Sequence, residues 1–552
     1  MKSTAGLVIL ILSSFFAPRC GATIYHSNGS AANIQFIHDT QAVDGDTITL
    51  PAGRFSWTTH IDISKGITLQ GLTTINGAGT INPAVADYTI VRDDSNHTTN
   101  QLGLVSVTLN STQSFRMTGI TFSNGQSTDY GNNGAIKISS TDNQPVTSAR
   151  IDHCHFDHLY WEDTIFIVGW VYGVEDHNLI ECNSSGLSHL IWHNTWGGQI
   201  NGNGSWADFP YYGTEKFWFI ETNTIRGNGP QTSARIDSVN GGRYVARHNF
   251  FSNSSPGGHG TEGGMQRGCR EREVYDNAFN YTIGWGSGLQ RSGGGIWHDN
   301  SWIGQDSNNQ NHTSLAVYRE FGAIGNDLSR WGLAGGNNPW DVNDAHGLYQ
   351  SGITSATLAH GLLQDSSKNW TTNQWAGYSV TNNNPLAACY LHSSYIISNT
   401  SNTITYYYYG SGDRGAPLLF NAGDIYQIYR VLIALDQNGR GKGDLVIMTP
   451  GPNPIPINSV TGTQSWTHEN LEPCFSWNNV HTPTGHVYGF GSEIPTEIAN
   501  RDYYNLGAGF PPDTTPQQVI HTYTAALNGV NYTGTYIYPH PLTSNGLAQP
   551  GL

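Results

Sequence analysis

Between residues 235 and 291 the chain carries Arg235, Asp237, His259, Glu262, Arg267 and Arg291. Three guanidinium groups, two carboxylates and an imidazole suit one reaction in particular, removal of a proton from the carbon beside a uronate carboxylate. That β-elimination requires the substrate carboxylate to be neutralised and a base poised near the working pH. His259 is the natural base, because an unperturbed imidazole titrates near neutrality. Arg235, Arg267 and Arg291 could each grip a carboxylate through two parallel hydrogen bonds. Asp237 and Glu262 could bind Ca²⁺ or orient His259. Upstream, Trp192, Trp196 and Trp206 offer ring faces for stacking on sugars, and Lys137 adds a further cation for substrate. The plainer alternative is a solvated polar face with surface ion pairs, as the mixed charges of Arg267-Gly268-Cys269-Arg270-Glu271-Arg272-Glu273 would form, and tryptophans that only pack their own loop.

These residues need a scaffold, and a recurring phrase supplies one. A hydrophobic strand, a polar turn ending in Asn, and a hydrophobic residue two places later recur at Cys154, Asn178, Asn223, Asn249, Asn277 and Asn300, the first position being Cys. The steps are 24, 45, 26, 28 and 23 residues, and the 45 has room for one coil plus a long loop. A strand-sized repeat of this period predicts a solenoid. Stacked at the sheet spacing of about 4.8 Å, the recurring Asn forms an inward ladder whose amides satisfy one another and the backbone. Residues such as Ile151, Phe156, Val274 and Phe279 then fill the core. Two places before each Asn stand Asp152, Asp176, Glu221, Arg247, Tyr275 and His298, whose carboxylates could attract Ca²⁺ or pair with Arg247.

The segments Gly45-Asp46-Thr47-Ile48-Thr49-Leu50-Pro51-Ala52-Gly53 and Ile61-Asp62-Ile63-Ser64-Lys65-Gly66-Ile67-Thr68-Leu69-Gln70-Gly71 alternate apolar and polar residues between turn signals. With the Asp-His-Asn phrase and Tyr538-Pro539-His540-Pro541-Leu542, the chain resembles secreted right-handed parallel β-helix proteins of the pectate-lyase-like superfamily over residues 30–350 and 430–545. The resemblance implies three strands per coil and a catalytic face on the strand before the one leading into the Asn turn. Counting back 10 to 18 residues from each Asn puts Lys137, Arg235, Asp237, His259, Glu262 and Arg291 on that face. Arg267 is the member of its basic stretch nearest the groove, and the tryptophan loop stands beside it. The implied partner is an acidic polysaccharide and the implied activity is that of a lyase. Gly258-His259-Gly260 also resembles one motif of polygalacturonase-type hydrolases, without the accompanying aspartate pair or Arg-x-Lys. A glycoside hydrolase is therefore the second enzymatic reading, and a non-catalytic carbohydrate-binding or surface-structure protein the competing class.

Composition agrees with an all-β body. The 552 residues include 66 Gly, only 12% charged side chains and 11% aromatics. The formal charge of −16 argues against nucleic-acid binding. Residues 1–22 read as a signal peptide, with Lys2, an apolar core from Leu7 to Phe16 and cleavage before Thr23. That run is too short to span a bilayer, so a secreted or periplasmic protein without membrane insertion is expected; a monomer is the expected state. Beyond the signal lie five cysteines without CxxC spacing, expected as small buried hydrophobes. The parallel β-helix is expected over 23–350. An inserted antiparallel β module follows over 351–430, where the Asn phrase is missing and Trp370 and Trp375 either grip sugars or form the module's core. Final coils over 431–504 and a packing tail over 505–552 complete the expected order.

Overall fold

The computed structural model describes residues 21–506 apart from 96–102, 126–133, 142, 160–162, 184–185, 228–232, 261–266, 283–287, 307–310, 316–330, 334–347, 377, 391–392, 409–417, 430–431, 435, 449–455, 464–468, 493–496 and 498. Successive coils each lay one strand on three sheets, forming a right-handed parallel β-helix. Sheet 1 holds seven strands, Ile61–Ile63, Val105–Leu109, Ile136–Ser140, Asp163–Val168, Leu187–Trp192, Ser233–Val239 and Ser254–Pro256. Sheet 2, of 12 strands, leads into the Asn turn, and the strands that follow the turn lie in sheet 3, which has 13 strands in all.

Parallel stacking in register places like residues over like. Ile136, Ile165 and Ile236 stack inward from sheet 1 with buried His189 between the last two, Ile151, Ile220 and Ala246 from sheet 2 with buried Glu175 between the first two, and Phe156, Ile180, Ile225 and Phe251 from sheet 3. On sheet 3 the column ends in stacked rings, with Phe251 to Phe279 at 5.0 Å and Phe279 to Trp302 at 4.6 Å between centroids. All five described cysteines are free and buried.

The Asn column forms the expected ladder. Each Asn Oδ1 accepts from the backbone N–H of the equivalent residue one coil earlier, from Asn178 onto Cys154 at 2.8 Å through to Asn479 onto Asn300 at 3.3 Å. Each Nδ2 donates to a carbonyl of sheet 2, as Asn249 does to Ile220 at 2.8 Å. The preceding residue bends the chain in the left-handed region, with φ between 51 and 56° at His153, His177, Thr222, His248, Asp276, Asp299 and Asn478. Asn, Asp and His visit that region more readily than other side chains.

After Asn311–Leu315 the solenoid pauses. Sheet 2 resumes only where Ile296–His298 pairs in parallel with Cys474–Trp477, and Tyr503–Leu506 adds the strand beyond. Residues 431–436 were expected to restart the coils, but among the described residues of that run none pairs in sheet 2. Leu432–Ala434 pairs antiparallel with Trp331–Leu333, and Asp436 is held by Arg267. The place next to Ile296–His298 in sheet 2 belongs to Cys474–Trp477, leaving no slot for 431–436. Between these points an antiparallel sheet of six strands spans Leu348–Ile353 to Ile425–Tyr429. Trp370 and Trp375 pack with Leu363, Val380 and Ile396 inside it, so they serve the module's core. Residues 1–20 of the expected signal and 507–552 of the expected tail lie outside the described residues. Among the described residues no helix is long and apolar enough to cross a membrane.

Candidate active site

On Ser233–Val239 the inward Ile236 forces its neighbours Arg235 and Asp237 to the outer side of sheet 1. The next coil continues past Ser254–Pro256 into Gly258 and His259, where the His259 N–H donates to the Ser238 carbonyl at 2.8 Å. This backbone bond sets the imidazole beside Asp237, with Nδ1 to Oδ2 at 2.7 Å. The other carboxylate oxygen of Asp237 accepts from the Ser238 N–H at 2.8 Å. One coil on, Arg291 Nε donates to the Gly258 carbonyl at 3.0 Å, and Ser292 Oγ donates to the His259 carbonyl at 2.6 Å. Asp237, His259 and Arg291 therefore come from three successive coils and meet on one face.

The electrostatics of the pair follow from this packing. Burial opposes ionisation of Asp237. The charge and hydrogen bond of His259, then the charge of Arg291, outweigh it and hold the carboxyl below the usual carboxylate range. An ionised Asp237 on Nδ1 fixes the imidazole tautomer, so that the basic lone pair of the neutral ring lies on Nε2. His259 is about one-fifth exposed, enough to meet a ligand.

Along the same face the outward column reads Lys137, Phe166, Leu190 and Asp237 on adjacent strands. Lys137 is thus three strands from Asp237, about 14 Å at the sheet spacing. Burial lowers its pKa, and its ammonium lies 5.8 Å from the Phe166 ring. Trp192 sits one strand over from Asp237 and two residues along, about 8 Å away. Its half-buried ring meets Phe166 edge to face at 5.0 Å. Phe166, Leu190 and Val239 complete an apolar platform around it. Only Trp192 and Lys137 of this platform were singled out from the sequence. Phe166 was legible as the outward neighbour of Ile165 and Ile167 on a strand where polar residues were expected.

Four expected residues are placed elsewhere. Arg267 is buried and paired with Asp436, Nη2 to Oδ1 at 2.7 Å, with Asn203 Oδ1 at 2.9 Å from its Nη1. It cannot reach a substrate, because a carboxylate 169 residues away has claimed it. Trp206 is fully buried, donating from its indole to the Gly268 carbonyl at 2.8 Å beneath Arg267 and Arg270. Trp196 is buried too, packed on Trp170, Tyr172 and Arg243, with its indole on Asp208 at 3.0 Å. Both rings hold their loop down and offer no face to a sugar. Arg235 shares the outer side with Asp237 but is buried, and its Nη1 donates to the Gly186 carbonyl. Glu262 lies outside the described residues. Asp237 was expected to help bind Ca²⁺, yet both its oxygens are engaged, by His259 and by the Ser238 N–H.

The carboxylates of the column two places before each Asn pair with arginines on the outside of sheet 2, from the column two residues earlier or from Arg247 of the same column. Arg116 grips Asp152 through two bonds of 2.7 Å, Arg150 grips Asp176 through two of 2.8 Å, and Arg247 pairs with Glu221. His298 lies stacked between Tyr275 at 4.8 Å and Trp477 at 4.4 Å. Structural ion pairing and ring stacking account for these side chains. Comparison of the chain with protein-family models finds no match, and comparison with curated proteins finds none.

Proposed function

We propose that this protein is an extracellular lyase that cleaves uronate-containing polysaccharide by β-elimination. The observation that carries the proposal is the His259–Asp237 pair at 2.7 Å on the outer face of sheet 1, with Arg291 on the following coil. His259 Nε2 takes the proton from the carbon bearing the uronate carboxylate. The electron pair left behind forms a carbon–carbon double bond, the glycosidic C–O bond on the neighbouring carbon breaks, and the departing oxygen takes a proton from solvent. Arg291 neutralises the substrate carboxylate and the charge that builds there, and Asp237 stabilises the imidazolium that forms. No step is routed through Ca²⁺.

Trp192 and Lys137, backed by the buried Phe166 ring, extend the site along sheet 1, where a partly open ring and a cation suit further uronate units. Hydrolysis would require two carboxyl groups flanking the bond about 5 to 9.5 Å apart. Asp237, turned onto His259, does not suit either role. Export to the secreted or periplasmic space and an acidic polysaccharide as partner, on a pectate-lyase-like helix acting as a monomer, belong to the same proposal.

The test is incubation with pectate, alginate and glycosaminoglycans, with neutral glucans as controls. Appearance of the unsaturated-uronate chromophore with at least one acidic polymer is the expected result. New reducing ends without that chromophore would overturn the lyase in favour of a hydrolase, and binding without cleavage would favour a carbohydrate-binding protein.

A further inference from the structure

A second cluster lies on the outer side of sheet 3, away from sheet 1. The coil that starts at Cys154 turns His155 and Asp157 outward on the strand His155–Leu159, and the next coil adds Glu181 from Leu179–Cys182. One donor atom from each of these three side chains lies within 4.8 Å of the others. His155 is almost fully buried, Glu181 mostly buried and Asp157 a little under half exposed, so solvent reaches the cluster from one side.

The surroundings aim these donors. Asp87 Oδ1 accepts from His155 Nδ1 at 2.8 Å and from Thr121 Oγ1 at 2.6 Å. A carboxylate on Nδ1 fixes the ring and turns Nε2 to Glu181, 3.2 Å from its Oε2. This is the outer-shell arrangement that metal-binding histidines use. Arg226 holds the other Glu181 oxygen at 3.0 Å. His158 Nδ1 stands 2.7 Å from Asp157 and 3.6 Å from Glu181. Three carboxylates, of Asp87, Asp157 and Glu181, against the one guanidinium of Arg226 leave two negative charges when both imidazoles are neutral, the charge a divalent ion cancels.

We propose that His155, Asp157 and Glu181, with His158 as fourth donor, form a binding site for a transition-metal ion of the Zn²⁺ class. Two imidazoles with two carboxylates favour Zn²⁺ over Ca²⁺ or Mg²⁺, which take oxygen ligands. Tetrahedral bonds of about 2.0–2.1 Å place ligand atoms about 3.4 Å apart, so closure needs shifts on the order of 1 Å, within reach of the open Asp157 and His158 side chains. The role is structural. Asp87 directly follows the hairpin strand Ala84–Ala86, and Ile75 and Ala78 of the hairpin segment pack on Leu179. The ion would pin this cover to two coils.

The full chain, stripped with chelator and then titrated calorimetrically with ZnCl₂ and with CaCl₂, tests the site. The expected result is one Zn²⁺ per chain, weak or absent Ca²⁺ binding, and an intense visible spectrum of tetrahedral Co²⁺ when that ion is substituted. Asp157→Asn and Glu181→Gln should abolish saturation, and Asp87→Asn should weaken it about 10- to 100-fold. Asp157 is on the surface, so D157N decides the matter if E181Q fails to fold, and His259→Ala should bind Zn²⁺ as the parent does. Absence of saturable Zn²⁺ binding, equal binding of Ca²⁺, or binding unchanged in D157N would overturn the proposal.

Discussion

His259 and Asp237 are usable because the imidazole keeps about one-fifth of its side chain open to solvent with Asp237 behind it, whereas Arg267, from the same stretch of sequence, is consumed by the fold. Alternation around Ile236 was enough to put Asp237 outside, and the count back from Asn277 was enough to bring His259 near it. Nothing local marked Arg267, Trp196 or Trp206 as buried. Each is covered by chain distant in sequence, as with Asp436, which lies 169 residues from Arg267. Asp237 acts on substrate only through the imidazole it holds, so it is a positioning residue. Asp237→Asn should lower kcat on the cleaved polysaccharide by roughly 10²-fold or more with KM little changed, and shift the acid limb of the pH–rate profile. Steady-state kinetics across pH checks this, and a change confined to KM would show that Asp237 only shapes the groove.

The repeating element was the most legible level, since an Asn spaced by coil lengths can satisfy the same two backbone groups each time. Removing one rung has a defined cost. Asn249→Ala leaves the Asn223 N–H and the Ile220 carbonyl without the partners that Oδ1 and Nδ2 supply. The expected loss is about 1–3 kcal/mol per orphaned buried group, read from denaturant unfolding. The outer sides of the strands were less legible, because what covers them comes from elsewhere. Positions one and three after the ladder residue carry His155, Asp157 and, on the next coil, Glu181, a pattern that two-before counting passes over. Glu273, outward on sheet 2, is buried, which pushes its carboxyl up to about 7 despite the Gly213 N–H and the Arg247 charge. A carboxyl whose folded value exceeds its unfolded one stabilises the fold fully below the unfolded value, near 4.5. That contribution is lost as pH rises through about 7. Stability measured from pH 4.5 to 8 should therefore decline by on the order of 2–4 kcal/mol through this group, and Glu273→Gln should flatten the decline.

At the scale of the molecule, one solenoid carries the candidate active site on sheet 1, the ion pairs of arginines with carboxylates on sheet 2 and the His155 cluster on sheet 3. An antiparallel module is let in between the coils of Asn311–Leu315 and Cys474–Trp477. The loss of the Asn phrase announced that insertion, but where the coils restart depends on which strand wins the place beside Ile296–His298. Hydrophobic runs at 431–436 and 474–477 look equally fit for that place until Arg267 claims Asp436. The central claim is that sheet 1 performs base-catalysed elimination through His259. It is tested most directly by following the unsaturated-uronate absorbance with an acidic polysaccharide for the parent chain and for His259→Ala, with thermal unfolding showing that both are folded. The account predicts steady chromophore release by the parent and a fall of about 10²- to 10⁴-fold in the variant. Equal rates in the two proteins, or cleavage by the parent without the chromophore, would contradict it.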